Sequence, residues 1–269
     1  MNDFVVLTLG VVCAGIGGEL FVRGAVGLAL RVRISPGIVG ATVAAFATSS
    51  PEMSVSISSA LAGNPEIALG EALGSNAVNV ALILGLALVI SGIQSPRDSV
   101  KRDFPVALLI PVPTGVLVLD GELSRFDGFL MLSMFLAWLV TAIIEGRKQR
   151  SDTTEALGEH RRWSVAISCV VGLALLVAAG YLIVAGARGV SYALGIDGFV
   201  IGATIVAVGT STPELATTII AKIRGHDEVG LGTIFGSNIY HGIFVVAPAA
   251  IIHPIVVAWR EVVVARKTA

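Results

Sequence analysis

The chain has 269 residues, 55% of them apolar and only 14% charged, with a net charge of −1 and a mean hydropathy of +0.87. Soluble domains carry about 25% charged residues, so this composition, with apolar stretches of about 20 residues recurring throughout, excludes a soluble globular protein and a disordered one. The near-zero charge and the lack of a basic run interleaved with aromatics exclude a nucleic-acid partner.

Windows of about 20 residues, matched to a hydrocarbon core of about 30 Å, predict eight membrane-spanning helices. They cover 3–22, 36–62, 66–91, 104–119, 128–145, 163–187, 198–222 and 228–252. The first opens on Asn2 and Asp3 without a basic leader, which marks a retained span. Cys13 and Cys169 fall inside spans and supply neither a disulfide framework nor a thiolate metal site. With the N-terminus outside, the connectors bearing Arg23, Arg31 and Arg33, then Arg97, Lys101 and Arg102, then 146–162, then Lys222 and Arg224 all face the cytoplasm. They hold 13 of the 18 Lys and Arg residues, as the positive-inside bias expects. The acidic 120–127 connector lies outside, and Arg260, Arg266 and Lys267 run against the bias.

The chain repeats itself. An offset of 162 residues lays GATVAAFATSSPE (40–52) on GATIVAVGTSTPE (202–214) and ALGEALGSN (68–76) on GLGTIFGSN (230–238), with 16 identities in the 37 positions from 40 to 76. The first copy, 1–145, holds five spans, an odd number, so the second copy enters the membrane inverted. Inverted repeats are a transporter architecture, with the binding site near the midplane where the copies meet. The predicted organisation is a first repeat at 1–145, a cytoplasmic linker at 146–162, a second repeat at 163–252 and a tail at 253–269. At this offset residue 269 pairs with residue 107, so the second repeat is expected to be shortened, with no counterpart of the fourth and fifth spans.

Polar residues interrupt the apolar pattern at matched depth. Thr48, Ser49, Ser50 and Glu52 have copies in Thr210, Ser211, Thr212 and Glu214. An ionised carboxylate in hydrocarbon needs a cation, a proton or a wet cavity. Thr48 and Ser49 stand four and three residues before Glu52, on one helix face of oxygen atoms. Pro51 and Pro213 lack an N–H and crowd the carbonyls of Ala47 and Gly209, loosening backbone oxygens beside each Glu. The following span of each copy adds Gly74-Ser75-Asn76 with Asn79, and Gly236-Ser237-Asn238 with His241. Such a hard-oxygen surface suits Ca²⁺, which takes 6–8 oxygens, better than Zn²⁺, and two carboxylates balance one Ca²⁺ or two Na⁺. Taken singly, a Ser or Thr here bonds back to its own helix, and Gly70/Gly74 or Gly232/Gly236 spacing serves helix packing. The matched Pro-Glu breaks in both copies favour a binding site.

The segments around 37–85 and 199–247 resemble the two alpha-repeats of the sodium/calcium exchangers of the calcium/cation antiporter superfamily. Gly-Thr-Ser-x-Pro-Glu and Gly-Ser-Asn-x-x-Asn/Asp each recur in order, with Ala47 in place of the first Gly and His241 in place of the final acid. The resemblance implies two inverted halves around a central cluster where Na⁺ and Ca²⁺ compete. It further implies Glu52 and Glu214 as ligands, with oxygens from Thr48, Ser49, Ser75, Thr210, Ser211 and Ser237, the carbonyls of Ala45 and Ala207, and Asn79. In that family the first and sixth spans slide across the rest to alternate access. His241 replaces an oxygen with an imidazole, a group that in its free form titrates near neutrality.

These observations predict an all-α, polytopic membrane antiporter that exchanges Ca²⁺ for Na⁺ through a two-glutamate site without a cofactor, integral in a plasma or inner membrane. A Ca²⁺/H⁺ exchanger, favoured by His241, and a truncated non-transporting homologue are the alternatives. No HExxH or nucleophile elbow points to an enzyme. The shortened second repeat predicts a homo-oligomer, or a separate subunit that completes the second half.

Overall fold

A computed structural model describes residues 3–32, 34–63, 65–90, 92, 97–148, 162–193 and 207–257. Helix α1 (Asp3–Val32) leads into a first broken helix: α2 (Pro36–Val39), a π-helical stretch Gly40–Ala44, α3 (Ala45–Thr48) and α4 (Ser50–Leu61). Next come α5 (Glu66–Ala77), π-helical Val78–Leu84, α6 (Gly85–Ile90), α7 (Arg97–Leu109), α8 (Pro111–Leu117), strand β1 (Glu122–Leu123), α9 (Arg125–Lys148) and α10 (Arg162–Ala193). The second broken helix holds α11 (Ala207–Thr210) and α12 (Thr212–Ile223). It is followed by α13 (Asp227–Ile239), π-helical Tyr240–Val245, α14 (Val246–Ile252) and β2 (Ile255–Val256).

Among the described residues, five helices are long and apolar enough to cross a bilayer: Asp3–Arg31, Glu66–Ile90, Arg125–Gly146, Trp163–Ile183 and Asp227–Ile252. Pro36–Thr48 and Asp103–Leu117 are shorter apolar helices. The architecture is all-α apart from the β1/β2 pair, and several spans differ in extent from their hydropathy windows. Helix α7 starts at Arg97, ahead of the expected 104, and the helix breaks at Ile110, before Pro111. Helices α9 and α10 run to Lys148 and Ala193, because helical bonding continues into polar interfacial residues that a hydropathy window drops. Of the expected elements, the linker from 149 to 161, the start of the seventh span at 198–206 and the tail from 258 lie outside the described residues.

Helices α1 and α10 occupy matched places in the two copies and pack antiparallel. A Cβ on Gly10 would stand 2.8 Å from Ile183, on Gly17 2.9 Å from Leu175 and on Gly24 2.5 Å from Cys169. The descending partner numbers are what an inverted repeat requires, and glycines seven apart let the backbones touch. Cys13 and Cys169 are free thiols. The turns after α4 and α12 also match, each through a glycine in the left-handed region, Gly63 (φ 81°) and Gly225 (φ 71°), where a Cβ would clash.

Helices α13 and α14 form the axis of the molecule. Their apolar window is 83% buried, against 17–28% in the other long helices. Helix α13 presses its glycines onto the first broken helix: Cβ atoms at Gly232 and Gly236 would strike the carbonyls of Gly37 and Ala41, and one at Gly40 would stand 2.6 Å from the Val229 carbonyl. The Gly232/Gly236 spacing therefore serves packing. Phe135 and Trp138 of α9 close over the adjoining π-helical stretch, with ring centroids 4.4 Å from Phe135 to Phe244 and 4.8 Å from Phe135 to Tyr240, distances typical of favourable aromatic pairs.

Polar contacts tie the ends of the helices together in two groups. Lys222 Nζ donates to the Gly92 carbonyl at 2.6 Å and pairs with Asp227 at 2.9 Å, and Arg224 pairs with Glu19 at 2.7 Å. Elsewhere β1 and β2 join antiparallel, Glu122 opposite Val256 and Leu123 opposite Ile255. The 222–227 connector thus lies beside residue 92, and residues 255–256 lie beside the 120–124 loop, the side-by-side placements expected from alternating spans.

Gly236→Ala should destabilise the protein by about 1–3 kcal/mol through overpacking, although Ala is the better helix former. Gly115→Ala, on the exposed face of α8, should stabilise by up to about 1 kcal/mol. Thermal unfolding midpoints in detergent report both, and a Gly236→Ala midpoint equal to wild type would refute the backbone contact.

Candidate functional site

The two breaks are built alike. Pro51 and Pro213 cannot donate a helical N–H, and the chain turns two residues earlier, at Ser49 (φ −84°, ψ 7°) and Ser211 (φ −81°, ψ 8°). These dihedrals lie in the sparsely populated bridge region. The carbonyl of Ala47, crowded by Pro51, instead accepts from the Ser50 hydroxyl at 2.6 Å. Each break starts a new 12-residue helix whose first turn carries the acid, Glu52 in α4 and Glu214 in α12. A helix N-terminus is the favourable end for a carboxylate.

Two π-helical stretches complete the arrangement. Asn79 and His241, matched in the two copies, each stand second in such a stretch, at Val78–Leu84 and Tyr240–Val245. A π-helix widens the turn and leaves backbone groups to be satisfied from outside. Here Thr114 of α8 donates to the Gly242 carbonyl at 2.9 Å, and Ser56 of α4 donates to the Val245 carbonyl at 2.6 Å. Asn238 accepts from Asn79 through its side chain at 3.0 Å and from Asn76 through its carbonyl at 3.2 Å, stitching the first copy to the second.

Glu52, Glu214 and His241 are fully buried, and one ligand atom from each lies within 4.8 Å of the others. Ser49 Oγ is 3.3 Å from Glu214 Oε1 and 3.2 Å from Ser237 Oγ, which itself donates to Glu214 Oε1 at 3.2 Å. The matched atoms of the other copy, Ser211 Oγ, Ser75 Oγ and both Glu52 oxygens, have no hydrogen-bond partner among the described residues. Neither do Glu214 Oε2, Asn79 Oδ1 or the two ring nitrogens of His241. Polar atoms buried without partners are costly, and carboxylates in such surroundings call for a compensating charge or proton.

Of the other residues singled out by sequence, Thr48 is fully buried and donates to the Ala45 carbonyl at 3.3 Å, which also accepts from the Ser49 N–H at 2.9 Å. Thr210 is half-buried and lines a cleft of about 190 Å³ with Pro51, Pro213, Gly180 and Tyr181, which opens beside both breaks. Ala207 begins α11. Thr114 and Ser56 carry no distinguishing mark in the sequence, because their partners lie on other helices. Glu71, a half-buried acid with one unpartnered oxygen among the described residues, does carry a sequence signal, its place inside an apolar span.

The sodium/calcium exchanger protein family matches residues 2–144 and 164–267. An inner membrane protein of Escherichia coli is 34% identical over 230 residues, covering 82% of this chain and 71% of that protein. A sodium/calcium exchanger of Methanosarcina acetivorans is 28% identical over 302 residues, covering 95% of this chain and 85% of its own. The solved structure of the sodium-calcium exchanger NCX_Mj soaked with Na⁺ and Sr²⁺ superposes with a TM-score of 0.82 at 30% identity, covering 97% of this chain and 86% of that one.

Thr114→Val removes the donor to the Gly242 carbonyl at nearly constant shape and should cost about 1–3 kcal/mol, the penalty for stranding a buried acceptor. A drop in the thermal midpoint checks this, and an unchanged midpoint would mean that Thr114 does not stabilise the π-helical stretch.

Proposed function

The chain belongs to the sodium/calcium exchanger family of multi-pass membrane antiporters, and from that premise we propose that it exchanges Ca²⁺ for Na⁺ through the cage around Glu52 and Glu214. The observation that carries this reading is the meeting of two fully buried acids, from matched positions of the two copies, with the Ser49 and Ser237 hydroxyls on Glu214; the buried oxygens of Ser75, Asn79 and Ser211, unpartnered among the described residues, are proposed as further ligands. Thr48, Thr210 and the carbonyls of Ala45 and Ala207 complete the proposed ligand set.

The mechanism follows from charge. Two carboxylates facing each other in a low-dielectric interior repel strongly, so the site is stable when one Ca²⁺ or two Na⁺ neutralise it. A neutral, loaded site can be carried past a low-dielectric barrier, whereas an empty one cannot, which makes exchange obligatory. Ca²⁺ accepts the irregular oxygen geometry of two breaks and two π-helical stretches because its coordination is flexible. The basic connectors support a placement with the N-terminus outside.

A Ca²⁺/H⁺ exchange remains the second reading, favoured by the imidazole of His241 beside both acids. Reconstituted vesicles separate the two: ⁴⁵Ca²⁺ uptake should follow an opposing Na⁺ gradient, and uptake driven by a pH gradient alone would establish proton coupling instead. Glu52→Gln and Glu214→Gln should each reduce Na⁺-driven uptake to background while the protein keeps its elution profile and helical content. Near-normal uptake by either variant would sink the two-glutamate site.

A further inference from the structure

His241 gives the cage a chemistry that an all-oxygen site lacks. Its ring is fully buried, stands in the π-helical stretch Tyr240–Val245, and offers a nitrogen within 4.8 Å of ligand oxygens from both Glu52 and Glu214. A buried histidine that serves only packing is held by hydrogen bonds through its ring nitrogens, yet neither nitrogen has a partner among the described residues. Two carboxylates and one imidazole converging from three separate helical segments form a mixed oxygen and nitrogen donor set. Imidazole contributes little to Ca²⁺ or Na⁺, whose ligands are oxygens. It contributes strongly to divalent ions from Co²⁺ to Zn²⁺, for which carboxylate-plus-histidine sets are common ligands. The charge also suits them, since two carboxylates with a neutral imidazole balance one divalent ion.

We propose that the centre formed by Glu52, Glu214 and His241 accepts a borderline divalent transition cation, of the Co²⁺ or Zn²⁺ class, as a cargo that competes with Ca²⁺, with His241 as a direct nitrogen ligand. The inference rests on the reading of Glu52 and Glu214 as the cation-binding pair. It assigns the site a wider substrate class than that reading does, and names the residue that widens it. Asn79 occupies the matched place in the first copy and keeps an oxygen available there, so the two copies divide the labour: one stays an oxygen ligand and the other selects for softer ions.

The test uses the purified full-length chain. ⁴⁵Ca²⁺ binding is competed with Co²⁺, and Mn²⁺ bound at the same site is examined by pulsed EPR for ¹⁴N coupling. We expect Co²⁺ to displace ⁴⁵Ca²⁺ at concentrations no higher than unlabelled Ca²⁺ requires, and bound Mn²⁺ to show ¹⁴N coupling. His241→Asn should remove that coupling and weaken Co²⁺ relative to Ca²⁺ at least tenfold, both ions being measured on the same variant. Competitive Mn²⁺ binding without ¹⁴N coupling, or an unchanged Co²⁺/Ca²⁺ ratio in His241→Asn, would overturn the imidazole ligand and leave the two-glutamate site standing. Wild-type ⁴⁵Ca²⁺ binding by Glu52→Gln would instead remove the site and this inference together. If His241→Asn fails to fold, the ¹⁴N signal of the wild-type protein decides alone.

Discussion

A carboxylate removed from water is among the most expensive groups a protein can bury, and this fold buries two of them, Glu52 and Glu214, within reach of each other. Each acid sits in the first turn of a helix, where backbone N–H groups point toward it, and Glu214 also accepts from Ser49 and Ser237. These devices lessen the penalty without cancelling it, because most of the surrounding lone pairs, including both oxygens of Glu52, face no donor among the described residues. The described residues thus leave buried negative charge around Glu52 and Glu214 without a matching positive group.

Holding acids at that depth requires breaking helices where broken helices are least welcome. In hydrocarbon every exposed backbone group is a liability, and the repair is made locally with hydroxyls. Ser50 covers the carbonyl crowded by Pro51, while Thr114 and Ser56 cover carbonyls of the π-helical stretch at Tyr240–Val245. Glycines then bring α13 against the first broken helix closely enough for backbone to pack on backbone, and Phe135 of α9 and Phe46 of the first broken helix both pack on Tyr240 and Phe244. The acid-bearing segments are irregular, and their surroundings are correspondingly dense.

Much of this was legible in the residues because duplication is legible. The 162-residue offset paired Ser49 with Ser211, and their backbone angles agree within a few degrees. The same offset paired Gly63 with Gly225, which share a left-handed turn. The π-helical stretches were not legible, since the switch to i→i+5 bonding leaves no compositional mark. Thr114 and Ser56 look like ordinary membrane hydroxyls until the fold brings the Gly242 and Val245 carbonyls to them. The antiparallel seam of α1 and α10 was written in Gly10, Gly17 and Gly24, yet a spacing of seven names no partner. Pairing of Leu123 with Ile255 depends on a meeting of distant segments that no local pattern encodes.

The lengths of α1 and α10 couple the protein to its surroundings. At 30 and 32 residues they extend about 45–48 Å, well beyond a hydrocarbon core of about 30 Å, so part of each helix lies among the headgroups and the rest accommodates by tilting. Because their backbones touch along the seam, the two helices tilt as one slab, and α1 carries Glu19, which is paired to Arg224 beyond the end of the helix that bears Glu214. The seam and the Glu19–Arg224 pair thus link the two longest helices of the described residues to the connector that follows the Glu214 helix.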